Sequence, residues 1–198
     1  MDLIIASTNM HKVRELRALL SQNKKFDLYS LIDFPDYVQP PETGKTFEDN
    51  ALLKAQHAAM HLKKWVLSDD SGLVVPALEG RPGVFSARYA GESASDKENR
   101  KKLLKEMEGL EGVGRSAYFE CCIVLCSPEG VSKSVRGTVE GTILTAERGK
   151  QGFGYDSLFV KHDYSHSFAE LDESIKNRIS HRSKAMDKLK MLLEQSIF

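Results

Sequence analysis

Apolar positions along the chain come as a short run, then a helical stripe, then the same order again, and this alternation predicts an α/β fold with a mixed sheet. Leu3 to Ala6 reads as a short buried strand, bounded by polar Ser7, Thr8 and Asn9. Val13, Leu16 and Leu20 share one face of a helix starting near His11, with Asn9 or Thr8 placed to cap it. A variable stretch marked by Pro35, Pro40 and Pro41 shows no clear element. Thr46 and Asp49 then have the spacing of a capping box. The stripe that follows, Ala51, Ala55, Ala58 and Leu62, is small-sided and predicts close packing against a sheet.

Lys64 to Ser68 reads as a strand ending at Asp69 and Asp70, and Glu79 to Glu92 as turn-rich and irregular. A second capping box, Ser95 with Glu98, opens a helix that buries Leu103, Leu104, Met107 and Leu110. From Ser116 to Cys126 and from Val131 to Ile143 the period changes to two, across the turn Ser127–Pro128–Glu129–Gly130, which predicts a long hairpin. A glycine-punctuated loop, Glu147 to Val160, runs into another short strand. A short helix near Asp172 to Arg178 and a longer one lined by Met186, Leu189, Leu193 and Ile197 complete the pattern. There is no internal repeat or linker, so the 198 residues are expected to form a single domain.

Charge narrows the function classes. The 28 basic residues balance 28 acidic ones, whereas gripping nucleic acid favours a basic excess. No apolar run approaches bilayer length, and Met1 to Asn9 lacks the features of a signal peptide, so a cytoplasmic protein is expected. Cys121, Cys122 and Cys126 form an odd cluster in one strand-like run, fitting neither a disulfide framework nor a zinc site. They read as buried small hydrophobes.

Five segments have the composition of a site. The first joins Ser7–Thr8–Asn9 to a helix start bearing His11, Lys12 and Arg14, cations that oppose the helix dipole unless an anion binds there. A solvated basic face is the plainer alternative, and the segment is not a P-loop. The second places Glu42 on a loop before Gly44, with Lys54 two turns into the next helix. The third is Asp69–Asp70–Ser71–Gly72 at a strand end, where α/β proteins hold ligands. Adjacent residues on an extended chain point to opposite faces, so one aspartate should face a cleft while its neighbour is held by backbone or a cation. Ser71–Gly72 would allow a tight turn with exposed N–H groups, although the same residues also make an ordinary acidic turn. The fourth, Gly152 to Asp156, sets Phe153 and Tyr155 between glycines, as a stacking wall or as core aromatics. The fifth, Ser180–His181–Arg182, sits at a helix start.

Taken in order, these segments resemble the inosine triphosphate pyrophosphatases, enzymes that hydrolyse non-standard purine nucleoside triphosphates. The resemblance runs through ASTNMHKVREL, ETGKTFEDNALLKA, DDSGL, PGVFSARYAGE, FGYDSLF and KNRISHRSKA, nearly the whole chain. It implies an elongated mixed sheet flanked by helices, two lobes with a central nucleotide cleft, a homodimer, and Mg²⁺ as cofactor. It further implies cleavage of ITP, dITP or XTP to a monophosphate and pyrophosphate, keeping these nucleotides out of DNA and RNA. By matching position, Asp70 would be the catalytic carboxylate and, with Glu42, a magnesium ligand. Ser7, Thr8, Asn9, Met10, His11 and Lys12 would form the phosphate loop, with Ser71 nearby. Phe153, Gly154, Tyr155 and Asp156 would line the base pocket, with Lys176, His181 and Arg182 completing recognition and Asp69, Asn50 and Lys54 in support. The phosphate loop departs from the family's usual Thr-Gly-Asn-x-Gly-Lys in lacking glycines; if it binds through backbone N–H groups, Thr8 and His11 would need conformations that glycine adopts more easily. The alternatives are a pyrophosphatase for pyrimidine or modified nucleotides, a non-catalytic nucleotide sensor and, against the neutral charge, a nucleic-acid-binding module.

Overall fold

A computed structural model describes residues 1–21 and 25–195. Six strands form one mixed sheet in the order β2-β1-β3-β4-β5-β6. Strand β1 (Asp2–Ile5) pairs in parallel with β2 (Asp27–Ser30) and with β3 (Trp65–Val74), through Leu3 opposite Leu28 and Trp65. Strands β4 (Ser116–Cys126) and β5 (Ser132–Ile143) are joined by a turn closed by Ser127 N–H on Val131 O at 2.8 Å. Strand β6 (Phe159–Lys161) is antiparallel to β5. The helices are α1 (Met10–Leu20), α2 (Phe47–Leu62), α3 (Asp96–Glu106), α4 (Glu173–Ile179) and α5 (His181–Gln195). No helix among the described residues is long and apolar enough to cross a membrane.

The starts of these helices follow from side-chain chemistry. Asn9 caps α1, its side chain accepting from the N–H groups of His11 and Lys12. Both predicted capping boxes form, Thr46 with Asp49 on α2 and Ser95 with Glu98 on α3. Each satisfies backbone donors that the helix leaves open, worth about 1 kcal/mol per cap. The alanine face of α2 is buried, and Ser68 Oγ of β3 donates to Ala51 O at 2.5 Å. Side chains this small let the helix backbone approach the strand closely.

The chain divides into two compact units. The first comprises Met1–Asp70, Cys121–Gly137 and the chain from Arg182 onward; the second comprises Ser71–Glu120 and Thr138–His181. The divisions therefore fall within β3, β4 and β5 and at the start of α5. The core of the first unit joins Leu3, Leu16, Leu67, Ile123, Met186 and Leu189 among others. Leu16 is fully buried, and its truncation to alanine would cost about 2–5 kcal/mol. The core of the second unit is aromatic, built around Phe119, Phe159 and Phe168. All three cysteines are buried and none is in a disulfide, as their clustering in one strand predicted.

Two expectations need correction. The proline-marked stretch contains β2, a four-residue strand whose alternation is too short to read without its partner β1. Strand β3 does not end at the aspartates but continues to Val74, so Ser71 and Gly72 make no turn there. Apolar burial overrides their turn preference: Leu73 and Val75 enter the second core, and the Leu73 N–H donates to Ser86 Oγ at 2.9 Å. The turn-rich reading of Glu79 to Glu92 agrees with a short 3-10 turn at Gly83–Arg88, which another at Pro76–Leu78 precedes. On α5, Met186 and Leu189 are buried and Leu193 packs against them, while Ile197 lies outside the described residues.

Candidate active site

In the first unit, Asp70 sits near the middle of β3 with both carboxylate oxygens engaged. Lys54 Nζ is 3.1 Å from Oδ1, and Asn50 Nδ2 donates to Oδ2 at 3.2 Å. Lys54 and Asn50 lie four residues apart on α2, so one helix face supplies both contacts. Lys54 Nζ also donates to Glu42 Oε1 at 2.8 Å and to Asp69 O at 2.8 Å. The loop bearing Glu42 is held close because Gly44 N–H donates to Asn50 Oδ1 at 2.8 Å. A Cβ on Gly44 would lie 2.6 Å from that same oxygen, so a side chain there would push the loop away.

Burial opposes the charge on Lys54, but Asp70, Glu42 and Asp69 outweigh it and raise its pKa. For Asp70 the balance is reversed: burial, aided by Glu42, pushes its pKa above the usual carboxylate range despite Lys54 and Lys12. The pair is asymmetric because Lys54 answers to several acidic residues, whereas Asp70 shares its lysine with Glu42. A carboxylate raised in this way is a better base than an exposed one.

Asp69 projects to the other side of the strand, as alternation requires. Its Oδ2 lies 3.0 Å from Arg182 Nη2 and 3.3 Å from Lys12 Nζ, with Cys121 Sγ at 3.9 Å. Arg182 also pairs with Glu15 of α1. Burial would raise the Asp69 pKa, but Lys12, Arg182 and Lys54 hold it well below the usual carboxylate range. Burial also pushes the Cys121 thiol far up, so it stays protonated. Glu15 was not anticipated. Its signal was an acid beside Leu16 on the buried side of an amphipathic helix, where only a paired charge is stable.

The loop preceding α1 has Ser7 buried and Thr8 and Asn9 exposed, and Met10 and His11, which open the helix, are exposed as well. Ser7 Oγ accepts from the Asn9 N–H at 3.2 Å, and the first turn of α1 contains no acidic residue. Exposed side chains, a helix N-terminus and the partly buried Lys12 make this end of α1 suited to an anion.

In the second unit, Gly152 to Asp156 forms a tight loop. Phe153 N–H donates to Asp156 Oδ2 at 2.9 Å, and Lys176 Nζ reaches the same oxygen at 2.5 Å. That ammonium lies 4.7 Å from the centre of the Phe153 ring. Gly152 has a left-handed φ of 74°, and a Cβ there would run into the Asp156 carboxylate. Tyr155 is buried, its hydroxyl donating to Ser86 O at 2.9 Å. His181 is also buried, stacked on Phe119 with centroids 4.8 Å apart. Ser71 is half-buried on β3. Phe153, Gly154, Tyr155, Asp156 and Lys176 are thus brought together, whereas Arg182 joins Asp69 and Glu15 in the first unit.

A divalent cation can be tested against this chemistry. Among the described residues, no group of three or more His, Cys, Asp or Glu side chains could hold a metal. Glu42 and Asp70 nevertheless converge on one cationic centre, the Lys54 ammonium, and offer it hard oxygen donors. Magnesium commonly takes one or two carboxylates and completes its shell with water and substrate phosphates. The donor set fits that pattern.

Comparison with known proteins places these features in a family. Two curated relatives named dITP/XTP pyrophosphatase are similar over nearly the full length. The protein of Protochlamydia amoebophila is 54% identical over 98% of each chain, and that of Chlamydia abortus 55% identical over 98% of this chain and 95% of its own. Among solved structures, a HAM1 protein from Coxiella burnetii superposes with a TM-score of 0.89 at 38% identity, covering 99% of this chain and 100% of its own. The Ham1 protein of Staphylococcus aureus gives 0.87 at 39%, covering 98% and 99%. Residues 3–192 match the model of the Ham1 family, and the chain belongs to that family.

Proposed function

We propose that this protein is a nucleoside triphosphate pyrophosphohydrolase acting on dITP, ITP and XTP, releasing the monophosphate and pyrophosphate and so keeping these nucleotides out of DNA and RNA. The observation that carries the proposal is the Glu42–Lys54–Asp70 group, a buried lysine and aspartate with a half-buried glutamate, two carboxylates fixed about one cationic centre beside an α1 N-terminus suited to phosphate. The names of the curated relatives support the substrate class. Residues 1–198 would work as one domain. A homodimer working in the cytoplasm, as the family resemblance implies, completes the proposal.

Glu42 and Asp70 would hold Mg²⁺, which when bound neutralises phosphate charge and favours in-line attack. Asp70 would accept a proton from the attacking water, its two oxygens aimed by Lys54 and Asn50. Ser7 to His11 and Lys12 would hold the phosphates, with Ser71 nearby, and Lys12 would stabilise the departing charge. Phe153 would stack on the base, with Gly154, Tyr155 and Asp156 shaping the pocket and Lys176 and His181 donating to it. Arg182, its guanidinium on Asp69 and Glu15, enters as the group that keeps Asp69 charged. A donor aimed at the purine 6-position accepts the oxo group of hypoxanthine or xanthine and mismatches the amino group of adenine, a difference worth several powers of ten when buried.

Pyrophosphate and orthophosphate release measured across dITP, ITP, XTP, GTP, ATP, CTP and UTP, with and without Mg²⁺, tests the proposal. Turnover of the first three that needs the metal is expected. Orthophosphate as the direct product, or turnover confined to pyrimidine nucleotides, would overturn it.

A further inference from the structure

Within the second unit, the loop Gly152–Asp156 is gripped from α3 by two residues to which no role has yet been given. Gly154 N–H donates to Asp96 Oδ2 at 2.6 Å, and Arg100 Nη1 donates to Gly154 O at 2.8 Å. Asp96 and Arg100 stand one helical turn apart, so the same face of α3 takes both backbone groups of one residue. Arg100 Nε is also 2.9 Å from Glu147 Oε2, which accepts from Ser157 Oγ at 3.1 Å. The helix therefore holds the loop at its centre and at both flanks.

The position of this grip matters. Gly154 has a left-handed φ of 59°, which turns its N–H and C=O toward the α3 side chains. Its N–H belongs to the peptide unit that follows Phe153. Anchoring that unit fixes the ψ angle of Phe153 and so the direction in which its ring projects, under the Lys176 ammonium. Both bonds involve an ionised partner, which makes them stronger than neutral ones.

We infer that Asp96 and Arg100 are positioning residues for base selection: they hold Phe153 in its stacking orientation without touching the base. The inference rests on the proposed role of Phe153 in base stacking. It is tested in the full-length protein with Asp96→Ala and Arg100→Ala, and with Asp96→Asn, whose amide oxygen can still accept the Gly154 N–H. Steady-state kinetics on XTP, dITP and ATP are paired with hydrogen exchange of the backbone amides of residues 152–156. The alanine variants should raise KM for XTP about tenfold, the scale of one charged hydrogen bond, while kcat stays within about twofold. The preference for XTP over ATP should shrink by a similar factor, Gly154 exchange should accelerate, and Asp96→Asn should restore most of the KM. A merely structural role would lower stability without this split or this rescue. Alanine variants with unchanged KM and selectivity, or a Gly154 amide that already exchanges rapidly in the wild type, would overturn the inference. An inactive wild type would overturn the functional proposal itself and this inference with it, a result distinguishable from active variants that keep wild-type parameters.

Discussion

In the first unit Asp70 is held by a lysine ammonium at 3.1 Å and an asparagine amide at 3.2 Å, with a second buried carboxylate, Asp69, on an arginine at 3.0 Å. In the second unit Phe153 is held by its own backbone, bonded to Asp156, and by a grip on the neighbouring Gly154. The proposed function asks different things of the two sets of residues. Phosphates concentrate charge and need counter-charges fixed in place, which are worth most where water is excluded. A planar base offers a face and a few polar edges, which a loop holding one ring in one orientation can meet. Buried charges are costly to leave unpaired, so changes in the first unit should damage turnover and stability. Changes in the second should damage affinity and selectivity.

Four measurements would break or sharpen that contrast. The largest effect is expected for Asp70→Asn, which should lose about 10²–10⁴-fold in pyrophosphate release with unchanged circular dichroism; near-normal turnover would remove Asp70 from the chemistry. Next, Arg182→Met leaves Asp69 and Glu15 buried without their shared cation. Urea unfolding should show a loss of about 3–5 kcal/mol, and a loss below about 1 kcal/mol would mean the pair is not structural.

Phe153→Ala should cost about 1–3 kcal/mol of binding, seen as a higher KM with kcat largely kept. A fall in kcat at constant KM would place Phe153 with the phosphate chemistry instead. The smallest effect concerns pH. Asp69 has a depressed pKa in the fold, so its contribution to stability is present above the unfolded value of about 4 and is lost as pH falls below it. Its share of the slope reaches at most about 1.4 kcal/mol per pH unit, and an Asp69→Asn variant whose stability changes between pH 5 and pH 3 as the wild type's does would contradict it.

The sheet class, the hairpin, both capping boxes and the opposite facing of Asp69 and Asp70 were legible because each depends on residues close in sequence. Strand β2 was not, since four residues of weak alternation become a strand only beside β1. Nor was the passage of β3 through Ser71 and Gly72, whose local chemistry favours a turn. The grip of Asp96 and Arg100 had no signal in the sequence, because the N–H and carbonyl that they hold lie more than fifty residues away.

What the sequence determined by itself was local and periodic: where helices begin, which faces are apolar, and a set of motifs specific enough to indicate a family. What the tertiary structure alone decided was the partner of each charge. Asp69 meets Arg182 across 113 residues of chain, and Lys54 meets Glu42 and Asp70 from opposite sides in sequence. Local sequence has no means of specifying such pairings. They arise when folding removes water from charges that distant elements bring together, and the energy of an ion depends on what replaces that water.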